Sequence, residues 1–310
     1  MTRPAVLTFD MDDLDVLAEG YGLRESHPLR VYSHGIPRVL AFLDEMDAKA
    51  TFFVIADRLR DPEVRAAVRE MAACGHEIAN HSLHHRHLIH LSHAESLEDT
   101  RHSTALLEET TGQKVIGYRG PSLTTNPHMP AILTELGYRY DSTINPTHLF
   151  IFEWIYLSLH HASRRNRPEL FYFRHMFAPS APYFCAGDSL FRRDPQGALL
   201  EIPVSTVPWL RVPFYPTFHF LFPFSFSWFK SLYLRNTPPV LIAHVLDFLD
   251  LQTDNLPQGF AKHPGLDRSW SEKRRYFMRF FHLLQHRHGG IRSAGTLAQH
   301  LHHTRNSANA

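Results

Sequence analysis

The stretch AVLTFDMDD, residues 5–13, carries the pattern that decides the fold. A short apolar run that ends in an acid is typical of a buried strand, and here the strand delivers Asp10 at its C-terminal end. Two more carboxylates, Asp12 and Asp13, follow immediately. We therefore expect a sheet of buried strands whose functional groups lie where the strands end.

Strand and helix patterns alternate over more than 200 residues. Four further runs predict strands: ATFFVIA (50–56), HEIAN (76–80), VIGYRG (115–120) and YRYDS (138–142). Regular elements resume at LLEIPVS (199–205) and VLIAHVLDF (240–248). Helices are predicted from apolar periodicity and end signals, namely Ile36 to Leu43 with Ser33 as N-cap, Asp61-Pro62 to Gly75, the Ser92–Glu95 capping box to Gly112, 128–136 before Gly137, and 269–288. The alternation predicts a parallel α/β architecture, either a barrel or an open sheet.

Polar residues at the ends of several strands favour the barrel, because barrel enzymes build their active sites there. The residues in question are Asp10, His81, Arg119, Asp141 and His244. We expect one domain over residues 1–310. It contains an aromatic-rich insertion at 145–200 and a C-terminal helical region at 269–303, with a frayed tail after Thr304.

Composition excludes several classes of protein. Thirty-two basic and 31 acidic residues leave a formal charge of +1 without a long run of one sign, so nothing predicts a nucleic-acid partner. Cys74 and Cys185 are too few for a disulfide framework. The N-terminus has no long apolar core of a signal peptide, and we expect a cytoplasmic protein. The aromatic segments 149–159 and 209–229 are too short or too rich in proline and charge to span a bilayer.

The stretch HEIANHSLHH (76–85) predicts a metal site. His81 and His85 are four residues apart, so on a helical turn their rings share one face and can reach a single ion. The strand-end aspartates of FDMDD can supply the carboxylate that completes the set. Because the chain has 24 histidines, the pair alone is weak evidence. We expect the other histidines of this region to be structural or solvated (His76, His84, His87, His90 and His93), and Ser82 to cap the turn.

Six sequence motifs follow one another along the chain, in the order TFDMDD, GHEIANHSLHH, GYRGPS, YDS, EIPVS and LIAH. Together they resemble the polysaccharide deacetylase family, also called the NodB-homology or carbohydrate esterase family 4 group. The resemblance covers most of residues 5–250 and weakens across 145–200. It implies a distorted (β/α) barrel, with seven strands in many members. It also implies a divalent metal, usually Zn²⁺, held by one Asp and two His, and hydrolysis of an N-acyl group, typically acetyl on an amino sugar.

Position by position, the resemblance makes Asp10 the general base and Arg119 the residue that holds it. His81 and His85 match the two histidine ligands. His244 matches the general acid, and Asp141 the carboxylate that orients it. One departure matters. The common motif has two adjacent aspartates followed by glycine, whereas here Met11 separates Asp10 from Asp12. A D-x-D version in some members, including the deformylase of lipid-linked aminoarabinose, makes Asp12 the ligand, and Asp13 is the alternative.

A cytoplasmic location favours a glycan precursor over a mature cell-wall polymer as substrate. We hypothesise that the two aromatic segments form an amphipathic apron that touches the inner leaflet, where an N-acylated amino sugar can be linked to a lipid carrier. One alternative is an amidase or deformylase of a non-polymeric N-acyl or ureide compound. Another is a catalytically silent carbohydrate-binding barrel. The sequence leaves the oligomeric state open.

Overall fold

The computed structural model describes residues 4–12, 14, 30–149, 170–207, 211–212, 239–263 and 265–309. Its strands are β1 (Ala5–Asp10), β2 (Thr51–Val54), β3 (Glu77–Asn80), β4 (Gly117–Tyr118), β5 (Tyr140–Asp141), β6 (Tyr183–Ala186), β7 (Ser189–Arg193), β8 (Leu200–Glu201), β9 (Val240–His244) and β10 (Ile291–Arg292). Its α-helices are α1 (Ile36–Glu45), α2 (Pro62–Ala73), α3 (His93–Thr111), α4 (Met129–Glu135), α5 (Trp270–His288) and α6 (Ala294–Asn309).

Seven parallel strands form a curled sheet in the order β9-β1-β2-β3-β4-β5-β8. The chain just after β8 turns back to β9, since Ser205 N–H donates to the Val240 carbonyl at 2.9 Å and Val240 N–H donates to Ser205 Oγ at 2.7 Å. The two ends of the curled sheet therefore meet. The short strand β10 runs parallel to the first residues of β1, and β6 and β7 form a hairpin that lies antiparallel to β8. The expected distorted (β/α) barrel is confirmed.

Alternation along β1 separates the inside of the barrel from the outside. Ala5, Leu7 and Phe9 belong to the large apolar core between strands and helices, whereas Val6 packs in a smaller interior cluster with residues of other strands. Since side chains alternate along a strand, Thr8 and Asp10 point inward with Val6. Helix α6 contributes Ala294, Leu297 and Ala298 to the same interior cluster. Along β1 the inner face is therefore apolar at Val6 and polar at Thr8 and Asp10.

Most helix ends follow the predicted signals. The Asp61 carboxylate accepts from Glu63 N–H at the start of α2, and a reciprocal Ser92–Glu95 capping box begins α3. Gly112 ends α3 in the left-handed conformation, with φ 67°. Ser33 is not an N-cap, however. It lies in a π-helical turn, Val31–Gly35, that runs directly into α1, so the backbone is already helical before the helix begins.

Two further expectations need correction. The tail does not fray after Thr304, because α6 continues to Asn309 and Arg305 donates to the Gly197 carbonyl at 2.6 Å. Strands β4, β5 and β8 have two residues each, shorter than the sequence runs that contain them. The aromatic segments 149–159 and 209–229 fall, apart from residues 149 and 211–212, outside the described residues. None of the described helices combines the length and apolar composition needed to cross a bilayer.

Candidate metal centre

Three donor atoms converge at the C-terminal ends of β1 and β3. Asp12 Oδ1 lies 3.2 Å from His85 Nε2 and 3.5 Å from His81 Nε2. Within the part of the chain that the structure describes, this is the one group of three or more possible ligand residues whose donor atoms all lie within 4.8 Å of one another. The structure therefore brings together the carboxylate and the two imidazoles that the sequence singles out. Asp13 lies outside the described residues.

The loop that carries the histidines is not helical, contrary to the expected helical turn. Ser82 and His85 both have positive φ, at 68° and 55°, which interrupts a helix immediately after β3. Asn80 Oδ1 accepts from Ser82 N–H at 2.8 Å, and Ser82 Oγ accepts from His85 N–H at 3.0 Å. These two bonds fold residues 80–85 into a tight loop. Ser82 thus caps the turn as expected, but the two rings converge because the loop doubles back.

The hydrogen bond at Nδ1 of His81 determines which ring nitrogen faces the site. Nδ1 lies 2.8 Å from the carbonyl oxygen of Arg119, which can only accept a hydrogen bond. Nδ1 must therefore carry the proton, and the lone pair of Nε2 points towards Asp12 and His85. A hydrogen bond of this kind on the far nitrogen is the usual way to orient a metal-binding histidine.

Two buried atoms at the centre, Asp12 Oδ1 and His85 Nε2, have no hydrogen-bond partner among the residues that the structure describes. Leaving such groups unpaired in the interior costs free energy, and a cation between them would satisfy both. One carboxylate oxygen and two imidazole nitrogens also make a three-ligand set that leaves a coordination position open. The residues present therefore fit a divalent metal ion such as Zn²⁺.

The ionisation of Asp12 agrees with that donor set. Burial raises the pKa of Asp12, but the His81 and His85 rings outweigh it and hold that pKa well below its ordinary value. Burial lowers the pKa of His81, while the carboxylates of Asp12 and Asp10 raise it by more. Asp12 is consequently ionised, as a ligand carboxylate must be.

Asp10 and Arg119 form a buried ion pair beside these donors. Arg119 Nη1 donates to Asp10 Oδ1 at 2.6 Å and to Thr8 Oγ1 at 3.0 Å. The rest of the guanidinium is held by Ser142, whose carbonyl accepts from Nε and whose Oγ accepts from Nη2, both at 2.9 Å. Its carbon Cζ lies 4.1 Å from the centre of the Phe53 ring. Asp10 Oδ2 accepts no hydrogen bond from any described residue, so one carboxylate oxygen stays available.

His244 ends β9 directly beside Asp10, with which it is in register. Its Nε2 lies 3.7 Å from Asp12 Oδ2, and 30% of its side chain is exposed. The structure thus brings His244 to the open side of the site. Asp141, expected to orient this ring, does not reach it. No hydrogen bond or ion pair joins the two among the described residues, because β5 lies on the far side of β8 from β9.

Asp141 instead belongs to a buried carboxyl pair with Glu201 on β8. It accepts from Thr143 N–H at 2.8 Å and from Thr143 Oγ1 at 3.0 Å, and Glu201 Oε1 accepts from Ile144 N–H at 3.0 Å. Burial raises the pKa of both carboxyls, and the charge of Asp141 raises that of Glu201 further, to well above its ordinary value. The pair shapes the 142–144 loop that holds Arg119. The sequence offered no signal for Glu201 beyond its place in EIPVS.

The remaining histidines of the 76–93 region lie apart from the donors. His76 is buried, accepts from Ala50 N–H at Nδ1, and has its pKa lowered to about 4 by burial. His84 points to Asp57, with Nδ1 3.6 Å from Oδ2. The rings of His87 and His90 stack on each other. These placements agree with the structural or solvated roles expected for them.

One protein family and several solved structures are similar to this chain. The sequence model of the polysaccharide deacetylase family matches residues 2–140. No curated protein sequence matches the chain significantly. Among solved structures, a candidate polysaccharide deacetylase from Mycobacterium smegmatis is similar over 98% of this chain and 91% of its own, with a TM-score of 0.63 and 20% identity. That likeness shows the same fold.

Two other solved structures are more distant. A CE4 family pseudoenzyme from Bacillus anthracis aligns with 96% of this chain and 66% of its own, with a TM-score of 0.48 and 13% identity. A family 4 acetyl xylan esterase from Clostridium thermocellum, in complex with a cobalt ion, aligns with 41% of this chain and 53% of its own, with a TM-score of 0.33 and 26% identity.

Proposed function

Since residues 2–140 match the sequence model of the polysaccharide deacetylase family, we propose that this chain is a metal-dependent deacetylase of that family. It hydrolyses an N-acyl group, acetyl first of all, on an amino sugar of a glycan or a lipid-linked glycan precursor. The observation that carries this proposal is the position of the Asp12, His81 and His85 donors directly beside the buried Asp10–Arg119 pair.

Asp12, His81 and His85 are the proposed metal ligands. The chemistry that a divalent ion supplies there, with Zn²⁺ the expected one, is activation of water and polarisation of an acyl carbonyl. The Arg119 carbonyl keeps the His81 proton on Nδ1 and so leaves Nε2 free to bind. This assignment chooses Asp12 over Asp13 because Asp12 already lies against both rings.

Asp10 is the proposed general base. Arg119 holds Oδ1, so the carboxylate is fixed in orientation and Oδ2 can take a proton from an attacking water. A positioned carboxylate removes a proton from the water during the attack, so the water need not ionise beforehand. We propose that Asp141 acts only indirectly, by shaping the 142–144 loop that grips the Arg119 guanidinium.

His244 is the proposed general acid. An amine is a poor leaving group until it is protonated, and an imidazole titrates near neutral pH, so it suits this step. Its partly exposed ring, at the end of the strand next to Asp10, lies where a substrate entering from solvent would meet it. Asp10 and His244 thus flank the metal ligands from neighbouring strands.

The test joins metal analysis to product release. Purified protein is expected to hold one divalent ion per chain and to release acetate from N-acetylated amino-sugar glycans or glycolipids. Asp10→Asn and His244→Ala should each lower kcat on the order of 10²- to 10⁴-fold. His85→Ala should lose the metal, whereas the matched control His84→Ala should keep both metal and activity, because His84 points to Asp57.

The same assays separate the alternatives. Release of formate or ammonia, but not acetate, from a panel of N-acyl and ureide compounds would favour the small-molecule amidase. A protein that binds glycans without metal, and whose Asp10→Asn and His244→Ala variants behave as wild type, would be the silent binding barrel. The proposed contact with a lipid surface is tested separately, by co-sedimentation with anionic liposomes and by a comparison of lipid-linked with free sugar. Equal rates with lipid-linked and free sugar, together with a protein that does not sediment with the liposomes, would refute only the proposed contact with a lipid surface.

A further inference from the structure

The turn that follows His244 is built around a reciprocal pair of hydrogen bonds. His244 is the last residue of β9, and the 3₁₀ turn Val245–Phe248 begins immediately after it. Asp247 Oδ2 accepts from His244 N–H at 2.9 Å, and Asp247 N–H donates in return to the His244 imidazole. This is the arrangement of a capping box, in which Ser or Thr normally occupies the first position and Glu or Gln the fourth.

Histidine in the first position of the box has a consequence that serine would not have. The ring, not a freely rotating hydroxyl, accepts the backbone hydrogen bond, so the bond restrains rotation of the imidazole about its side-chain torsions. The nitrogen that accepts this bond carries no proton, so the bond orients the neutral ring before it takes up the proton that it later donates. Nε2 of the ring lies 3.7 Å from Asp12 Oδ2. The bond to the ring comes from the backbone N–H of residue 247, so the Asp247 carboxylate acts on the orientation of His244 by closing the turn that places this N–H against the ring.

Asp247 is itself anchored in the interior. It is only 2% exposed, and a buried carboxylate is stable only with a compensating charge or hydrogen bonds. Lys273 on α5 is 1% exposed; burial lowers its pKa to about 8, while the carboxylates of Asp247, Asp250 and Asp254 act in the opposite direction. Lys273 Nζ also donates to the Leu249 carbonyl, which ties α5 to the end of the turn.

We infer that Asp247 is the positioning residue of His244, and that α5 supports the turn through the bond from Lys273 Nζ to the Leu249 carbonyl. This inference rests on the proposed role of His244 as the acid of an N-deacetylase. The competing explanation is that Asp247 only stabilises the local turn. The two differ in what they predict for the His244 ring and for kcat.

The kinetic test uses the full chain, metal-loaded, with three variants. Asp247→Ala should reduce kcat on the order of 10- to 100-fold, a part of what a general acid contributes. KM should stay within about threefold, because ground-state binding does not involve this ring. Asp247→Asn keeps an oxygen that can accept from His244 N–H and should recover most of the lost kcat. Glu95→Ala, which breaks the exposed capping box of α3, is the control and should leave kcat unchanged.

The spectroscopic test does not depend on turnover. Long-range ¹H–¹⁵N spectra of histidine-labelled protein, with His244→Ala to assign the signals, report the tautomer of the ring. Wild type and Asp247→Asn should show one dominant tautomer of His244, and Asp247→Ala an average of two. If Asp247→Ala does not fold, Asp247→Glu, which displaces the carboxylate by one methylene, takes its place.

Unchanged His244 signals in Asp247→Ala, or a wild-type kcat, overturn the inference. An equal loss of kcat in Glu95→Ala also overturns it, since any broken cap would then suffice. If the wild type deacetylates no N-acetylated sugar, the proposed function fails. The His244 spectra still decide whether Asp247 positions the ring.

Discussion

His81 Nδ1 donates to the main-chain carbonyl of Arg119 at 2.8 Å, while the side chain of the same arginine holds Asp10 at 2.6 Å. One residue at the end of β4 therefore orients a metal ligand through its backbone and the proposed base through its guanidinium. Because backbone and side chain carry different tasks, substitution of Arg119 should separate them. Variants of Arg119 should therefore change turnover without changing metal binding.

Arg119→Lys should keep the metal and lose most of the activity. A lysine ammonium lacks the planar fork that contacts Asp10, Thr8 and Ser142 at once, so the carboxylate loses its fixed orientation. We expect kcat to fall on the order of 10²-fold, the lower end of a general base's contribution. The metal content should be unchanged, because the carbonyl that orients His81 remains.

The control is Arg101→Lys, an exposed arginine near Glu135 on the outside of the barrel. It should match wild type in both measurements. Loss of metal from Arg119→Lys would show that the guanidinium, and not the carbonyl, holds the ligand in place.

Asp12→Ala should abolish tight metal binding, and Asp13→Ala should not. Asp12 Oδ1 is buried against both imidazoles, so its removal leaves only two ligands. The loss in affinity should exceed the ~10- to 100-fold that removal of a supporting residue costs. Isothermal titration with Zn²⁺ on apo-protein gives both constants. Tight binding by Asp12→Ala together with weak binding by Asp13→Ala would reassign the ligand.

The choice between these aspartates shows where sequence reasoning ends. Two carboxylates directly after a strand are equally available by pattern, and the sequence alone does not say which of them lies against the histidines. The succession of strands and helices along the chain was predictable because buried apolar runs and helix caps are local signals. The length of a strand such as β4 was not, because pairing depends on neighbours distant in the sequence.

The structure brings the two predicted histidines together, but on a different backbone conformation from the expected one. Spacing of four residues suggested a helical turn, but the left-handed conformations of Ser82 and His85 make a compact loop that brings the rings together. Asp247 was missed, although its position three residues after His244 follows capping-box spacing. The unusual element is histidine in the place of serine, which no propensity scale anticipates.

Glu201→Gln should make the stability less sensitive to pH. The pKa of Glu201 is raised well above its ordinary value of 4.5 by burial and by Asp141. A carboxyl whose folded pKa is raised contributes stability that is fully present below the ordinary value and is lost as pH rises through the folded value. The wild-type free energy of unfolding should therefore fall as pH rises above about 4.5.

Glutamine cannot ionise, yet its amide can still donate to Asp141, so the variant should lose less stability over that range. Urea unfolding at about pH 5 and about pH 8 measures the difference. Glu98→Gln, at an exposed position on α3, serves as the matched control and should follow the wild type. Parallel slopes for wild type and Glu201→Gln would mean that the buried pair does not govern the pH dependence.

Gly120→Ala should damage both stability and metal binding. Gly120 has an ordinary φ of −68°, so its requirement is space: an added Cβ would come 1.9 Å from the Thr124 carbonyl oxygen. The clash is with backbone, which cannot rotate away, and overpacking of this kind costs about 1–3 kcal/mol. The Arg119 carbonyl and the Gly120 N–H belong to one peptide group, so a movement of this group that relieves the clash strains its bond to Thr143 Oγ1 and its bond to His81 Nδ1 together.

A shift of the Arg119 carbonyl would loosen its hydrogen bond to His81, so the metal affinity of Gly120→Ala should fall together with its stability. Gly187→Ala is the matched control, because a Cβ there meets nothing within 4 Å. It should be neutral or slightly stabilising, by less than about 1 kcal/mol. Thermal unfolding with and without Zn²⁺ resolves the two effects. A Gly120→Ala protein that unfolds earlier but binds metal with wild-type affinity would show that this loop supports the barrel and not the centre.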